Sequence, residues 1–372
     1  MLAAGTFAQA SFATIGIGLP AIAPAIRDSL GLSLAEVGAL LSSHWLGTLV
    51  TLVPWGFLTD RVGERLVLAL GLGVCGLLLV GAGRADSFWG LYALLFVSGA
   101  AGASVNAATG RAIMGWFGVS ERGLALGIRQ AAVPVGGLLG AIVLPFLTVG
   151  QAYASLGAFC LVAAVAGAVL IRDPAEIPRQ VTEVDWSVRD GRLVRLCAVS
   201  GFFVVAQMAV LSFVVLYLHD ERGLGKGEAA AVLGAVQVAA MVLRVAAGRW
   251  SDTRGSRVDP LGQIGLAMTG TLAVATTLLD GPLVLLVPAF VVAGALAMAW
   301  NGLAFTAVAE LAGRARSGAA LSVQQTVLSL AAVATPIAFA AVVSVGSWML
   351  AYGLAALFPL AGWIVLRPLR ER

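Results

Sequence analysis

The sequence predicts an all-α integral membrane protein, with twelve membrane-spanning helices in two pseudo-symmetric six-helix bundles. Three observations lead there. Of the 372 residues, 60% are hydrophobic and 11% charged, against about 25% charged in soluble domains, and the mean hydropathy is +0.96. Twelve apolar runs follow one another, each about 18–29 residues long, enough to cross a hydrocarbon core near 30 Å as a helix. A polar turn, Gly56-Phe57-Leu58-Thr59-Asp60-Arg61-Val62-Gly63-Glu64-Arg65, recurs 192 residues later as Gly248-Arg249-Trp250-Ser251-Asp252-Thr253-Arg254-Gly255-Ser256-Arg257. A repeat displaced by about half the chain is the mark of two homologous halves.

In order, the runs are 2–26, 34–58, 66–83, 88–114, 123–147, 151–171, 193–218, 228–250, 261–279, 282–310, 317–343 and 348–366. The first lacks a basic leader and exceeds a signal-peptide core in length, so it reads as a retained span. Before the second and eighth runs, Asp28, Gly31 and Glu36 match Asp220, Gly223 and Glu228, again 192 apart. Beyond a three-residue insertion the displacement becomes 195: Gly99 and Asn106 match Gly294 and Asn301, while Gly123, Leu126 and Gln130 match Gly318, Leu321 and Gln325. The expected domains are a bundle at 1–172, a linker at 173–192 rich in Pro, Glu, Asp and Arg, and a bundle at 193–372.

Orientation follows from the basic residues at helix ends. With both termini cytoplasmic, seventeen of the 23 fall on the cytoplasmic side and four (Arg27, Arg84, Arg222, Lys226) on the other. The expectation is a multi-pass protein of the cytoplasmic membrane, with the lipid bilayer as its surroundings, acting as a monomer. The net charge of +4 is thus topological; no basic patch with interleaved aromatics points to nucleic acid. Cys75, Cys160 and Cys197 stand alone in apolar runs and read as packing residues, so neither a metal nor a cofactor is implied. An intramembrane hydrolase would need paired acids, a Ser-His dyad or a metal motif; His44 is the one histidine inside a span and no acid lies deep in any. An enzyme is not expected.

The Gly56–Arg65 turn resembles the signature loop of the major facilitator superfamily, departing from it at Glu64, where the family often has a basic residue. The second copy is looser, with Trp250 for the Leu and Thr253 for the first Arg. The resemblance covers essentially the whole chain. It implies a secondary transporter working by alternating access, two bundles rocking about a midplane site lined by the first, fourth, seventh and tenth helices. Asp60 and Asp252 then face the positive N-terminal ends of the fifth and eleventh helices, a stabilisation of roughly 0.3–1 kcal/mol. Together with Gly56, Arg61, Gly63, Arg65, Gly248, Gly255 and Arg257 they form a candidate conformational latch, in which Gly56 and Gly248 let helices approach. Ordinary turn chemistry is the alternative.

Two arginines, Arg129 and Arg244, lie inside spans, where each costs a few kcal/mol unless it faces a cavity or a partner. Their repeat partners are Gln324 and Leu52, so pseudo-symmetry does not demand the charges. A guanidinium fork binds carboxylate in a way lysine cannot, and no buried acid neutralises the pair. The expected substrate is therefore a small organic anion, a carboxylate, held by Arg244 with Arg129, Asn106, Asn301 and Gln324. Snorkelling to the interface is the plain alternative for both arginines. An Arg four residues before Gly248 is similar to what monocarboxylate-type carriers of the superfamily show. Gln9, Gln207, Gln130, Gln325 and Trp300 are further candidate liners. His44 is a candidate for carrying a coupling proton, or else a packing histidine; sodium is the other coupling ion to weigh. Multidrug efflux is the competing transport reading, against which stand Leu94-Leu95-Phe96 where such antiporters carry an Arg and only a partial fifth-helix motif at Val133–Gly137. A membrane sensor that binds without transporting is the competing class.

Overall fold

In lipid a chain must satisfy its own backbone groups, and long apolar runs do so as helices. The computed structural model describes residues 1–116, 122–172, 190–312 and 317–370, with the side chains at 60, 111, 113–116, 122–127, 317–319 and 370 outside the description. The Asp60 side chain and residues 173–189 of the linker therefore lie outside the described residues. Every described element is helical. In the first half these are α1 (Leu2–Gly18), α2 (Ala23–Leu30), α3 (Leu34–Val62), α4 (Glu64–Ala82), α5 (Phe88–Gly102), α6 (Ser104–Trp116), α7 (Arg122–Val143) and α8 (Val149–Leu170). In the second they are α9 (Gly191–Asp220), α10 (Lys226–Arg254), α11 (Val258–Thr277), α12 (Leu283–Ala299), α13 (Asn301–Ala312), α14 (Ser317–Val345) and α15 (Trp348–Arg370).

The first span breaks at Pro20 into α1 and α2, the fourth at Ala103 into α5 and α6, and the tenth at Trp300 into α12 and α13. With those halves joined, the described residues form twelve successive helices, eleven of them long and apolar enough to cross a bilayer. The twelfth, α11, is diluted by glycine and threonine. Its threonines return their hydroxyls to their own helix, Thr269 to the Gly265 carbonyl at 3.1 Å and Thr276 to that of Leu272 at 2.8 Å, which hides them from lipid.

The four positive-φ glycines among the described residues are two repeat pairs, Gly31 (62°) with Gly223 (68°) and Gly63 (90°) with Gly255 (60°). Each lies just beyond a helix, where a Cβ would strain the left-handed backbone. The repeated acids have structural work as well. Glu36 Oε2 accepts the Ser33 N–H at 2.8 Å and Glu228 Oε2 accepts the Gly225 N–H at 2.9 Å, the same half of a capping box at the start of α3 and α10. Asp28 accepts from Lys226 at 2.7 Å, and Asp220 pairs with Arg27.

By Cα proximity the chain forms two compact units, Met1–Arg179 with Val215–Gly234, and Gln180–Val214 with Ala235–Arg372. In the first, helices touch backbone to backbone. A Cβ on Gly140 would stand 2.4 Å from the Gly18 Cα, and one on Gly136 would stand 2.6 Å from the Ala10 carbonyl oxygen, so α1 and α7 run parallel in contact. Gly99 lies equally close to the His44 carbonyl, joining α3 to α5. In the second unit the fully buried Phe203 ring lies against Gly265 and Gly362 and edge-on to Trp300, their centroids 5.6 Å apart. A Cβ on Gly56 or on Gly248 meets no described atom within 4 Å. The close approaches lie deeper in the spans, where only hydrogen separates the helices.

Candidate functional site

The parallel contact of α1 and α7 places Gln9 beside Arg129, two turns into α7, and the break before α6 turns Asn106 and Thr109, one turn apart on one face, toward the same guanidinium. Arg129 Nε donates to Thr109 Oγ1 at 2.8 Å, and Nη2 donates to Gln9 Oε1 and to Asn106 Oδ1, each at 3.1 Å. The Thr109 hydroxyl is itself fixed, donating to the Val105 carbonyl at 2.6 Å. All three acceptors are neutral. Among the described residues no carboxylate pairs with Arg129, and its Nη1 has no partner. Gln9 and Thr109 are buried; Arg129 and Asn106 are partly exposed. The result is a guanidinium held rigidly by neutral groups, with one amino group left over and a positive charge not neutralised by the described residues.

The second unit lacks that charge at the matching place. Gln324, the repeat partner of Arg129, is fully buried and donates Nε2 to Ser200 Oγ at 2.9 Å. Asn301 donates to Gln207 Oε1 at 3.2 Å and to the Met298 carbonyl at 3.3 Å, and Arg244 Nη2 donates to that same carbonyl at 3.0 Å. Trp300 is buried, its indole bonded to the Ala297 carbonyl at 2.7 Å, and acts in packing. The structure thus joins Arg129, Asn106 and Gln9 in one cluster, and Arg244, Asn301 and Gln207 around the Met298 carbonyl in another. Thr109 was not singled out from the sequence; its place three residues after Asn106 was the available signal.

The motif repeated 192 residues on and the breaks in the fourth and tenth spans just before Asn106 and Asn301 fit a membrane protein of two homologous halves, and the family model of the Major Facilitator Superfamily matches residues 2–336. The chain belongs to the major facilitator superfamily. It is a multi-pass transporter of this superfamily and not an enzyme. It is 33% identical over 360 residues to an uncharacterised superfamily transporter of Mycobacterium tuberculosis, covering 95% of this chain and 81% of that one. Over shorter stretches it is similar to a probable L-galactonate transporter of Escherichia coli, 36% identical over 111 residues (30% of this chain, 24% of that one). It is also similar to a hexuronate transporter of Bacillus subtilis, 23% identical over 219 residues (54% of this chain, 52% of that one). Among solved structures, the D-xylose-proton symporter superposes with a TM-score of 0.79 at 16% identity, covering 96% of each chain, which speaks for the superfamily fold alone.

The superfamily's signature turn is visible in its second copy. Arg257 donates to Ser251 Oγ at 2.9 Å, to Asp252, and to Glu310 at the end of α13 at 3.2 Å, cross-tying the turn to another helix of its unit. Partial burial pulls the Arg257 pKa down, but the Asp252 and Glu310 carboxylates more than offset this and hold it above the usual arginine value. In the first copy Gly63 ends α3, and Arg61 and Arg65 are exposed. His44 is 1% exposed, its ring 5.0 Å from that of Phe12 and 5.7 Å from that of Trp45. Neither ring nitrogen has a partner among the described residues, the surroundings of a packing side chain.

Proposed function

We propose that this transporter is a secondary carrier of a small organic anion, a carboxylate, with Arg129 as its anchor. The supporting observation is the Arg129 cluster: three neutral side chains hold the guanidinium by Nε and Nη2, and Nη1 is left for a ligand. A partly buried cation whose described partners are all neutral is completed by an anionic ligand and repels a cationic one. L-galactonate and hexuronate, for which two of the relatives are named, are organic anions, in keeping with this reading. Arg244 has a secondary role in its own unit, beside Asn301.

The carrier works by alternating access in the cytoplasmic membrane, with both termini cytoplasmic, as the arginine-rich helix ends favour. Two six-helix halves at 1–172 and 193–372 are its moving parts, and the Arg257–Asp252–Glu310 tie belongs to the machinery that holds a conformational state. A proton or sodium ion supplies the driving force.

Purified protein in detergent, screened by thermal shift against carboxylates, inorganic anions, neutral sugars and hydrophobic cations, tests the proposal. A ligand present at 100 times its Kd stabilises by about 2.7 kcal/mol, several degrees in melting temperature. Stabilisation by carboxylates, followed by their uptake into proteoliposomes, is the expected result. Stabilisation by hydrophobic cations alone overturns it in favour of multidrug efflux, and binding without uptake points to a sensor.

A further inference from the structure

The substrate class can be narrowed by asking which atoms the Arg129 cluster still offers. This rests on the anion reading above. A guanidinium donates hydrogen bonds and accepts none, so the Gln9 and Asn106 amides must turn their oxygens toward it, as the 3.1 Å contacts show. Their nitrogens are thereby turned away from Arg129. Neither Gln9 Nε2 nor Asn106 Nδ2 has a partner among the described residues, and neither has Arg129 Nη1. Thr109 has spent its hydroxyl hydrogen on the Val105 carbonyl. What remains is a set of three NH2 groups, all donors, with no acceptor among them.

One carboxylate cannot occupy all three. Each amide nitrogen lies across its carbon from the oxygen that Arg129 holds, so the donors are spread more widely than the two oxygens of a single carboxylate. A ligand that satisfies them carries its carboxylate at Nη1 and further oxygen acceptors on neighbouring carbons. We propose that the cluster selects a polyhydroxylated carboxylate, a sugar acid, with Arg129 Nη1 binding the carboxylate and Gln9 Nε2 and Asn106 Nδ2 binding hydroxyl oxygens. An unsubstituted fatty acid of the same length leaves both amide nitrogens unpaired once water is displaced, and a neutral polyol leaves the charge unmet. Discrimination resides in the two amides, and affinity in the arginine.

The test is a matched six-carbon set on the full-length protein: a panel of aldonates and hexuronates, hexanoate, and sorbitol, each titrated by thermal shift and by isothermal calorimetry. At least one sugar acid binds at least about tenfold more tightly than hexanoate, as expected when a site built to donate to hydroxyls meets an analogue lacking them, and sorbitol does not bind. Gln9→Leu and Asn106→Leu each narrow the ratio of sugar-acid to hexanoate affinity, a change that a general loss of folding would not produce. Gln9→Glu and Asn106→Asp, which keep the shape but present acceptors or a negative charge, abolish sugar-acid binding.

Hexanoate binding as tightly as every sugar acid, or a ratio unmoved in both leucine variants, overturns this inference while the anion reading stands. Binding of sorbitol or of a hydrophobic cation with all acids inert defeats the anion reading itself.

Discussion

Replacing Arg129 with lysine keeps the charge and removes the geometry, which makes it the sharpest test of the site. In the parent, Nε reaches Thr109 at 2.8 Å while Nη2 reaches Gln9 and Asn106 at 3.1 Å, contacts spread along one edge of a planar group. An ammonium concentrates its three hydrogens at one point and cannot span them while also holding a ligand. The variant therefore loses its fixed aim and at least one charge-assisted bond to the anion, each worth roughly 1.5–3 kcal/mol. A total near 3 kcal/mol is about a hundredfold in Kd, at 1.4 kcal/mol per tenfold. The ligand-free variant also melts lower, because the buried Gln9 oxygen loses its donor at roughly 1–3 kcal/mol. The assay is a calorimetric titration with the best-binding anion of the screen, on protein shown monodisperse by size exclusion. Arg129→Lys binding that anion within about threefold of the parent would refute the assignment, since a point charge would then suffice.

Three further outcomes are expected. Gly140→Leu forces α1 and α7 apart, because its Cβ alone would stand 2.4 Å from the Gly18 Cα; a melting temperature matching the parent, where overpacking by roughly 1–3 kcal/mol or more is expected, would show that the contact is not close in solution. Gly63→Ala, at φ 90°, loses about 1–3 kcal/mol while Gly56→Ala, with no described atom within 4 Å of its Cβ, is near neutral, a contrast that parallel thermal melts settle. His44→Phe retains transport and an unchanged pH profile between about pH 5 and 8 in proteoliposomes, as an aromatic filling the same space between Phe12 and Trp45; a flattened profile would instead give His44 the coupling proton.

Much of the architecture is legible in the sequence alone. Helices in lipid are dictated by local hydropathy, so the apolar runs mark the spans to within a few residues, and even α11, too rich in threonine to read as strongly apolar, is helical. The repeat was equally plain, and the structure supplies its cause. Gly31, Gly63, Gly223 and Gly255 recur because each takes a positive φ, and Glu36 and Glu228 recur because each caps a helix. Close packing was not legible: with 46 glycines in the chain, nothing local says that Gly18 meets Gly140 and that Gly56 meets no described atom.

The sequence by itself determined the class of protein, its membrane spans, its twofold repeat and the two arginines that break it, since composition, period and spacing are properties of the chain alone. Only the tertiary structure decided what each arginine touches. Arg129 meets Gln9 from 120 residues away and Asn106 from 23, and Arg244 meets the Met298 carbonyl from 54. Hydrophobic burial acts on any apolar surface and so leaves its pattern in sequence order. A hydrogen bond acts between two particular atoms about 3 Å apart, and which atoms those are is known only once the helices have packed.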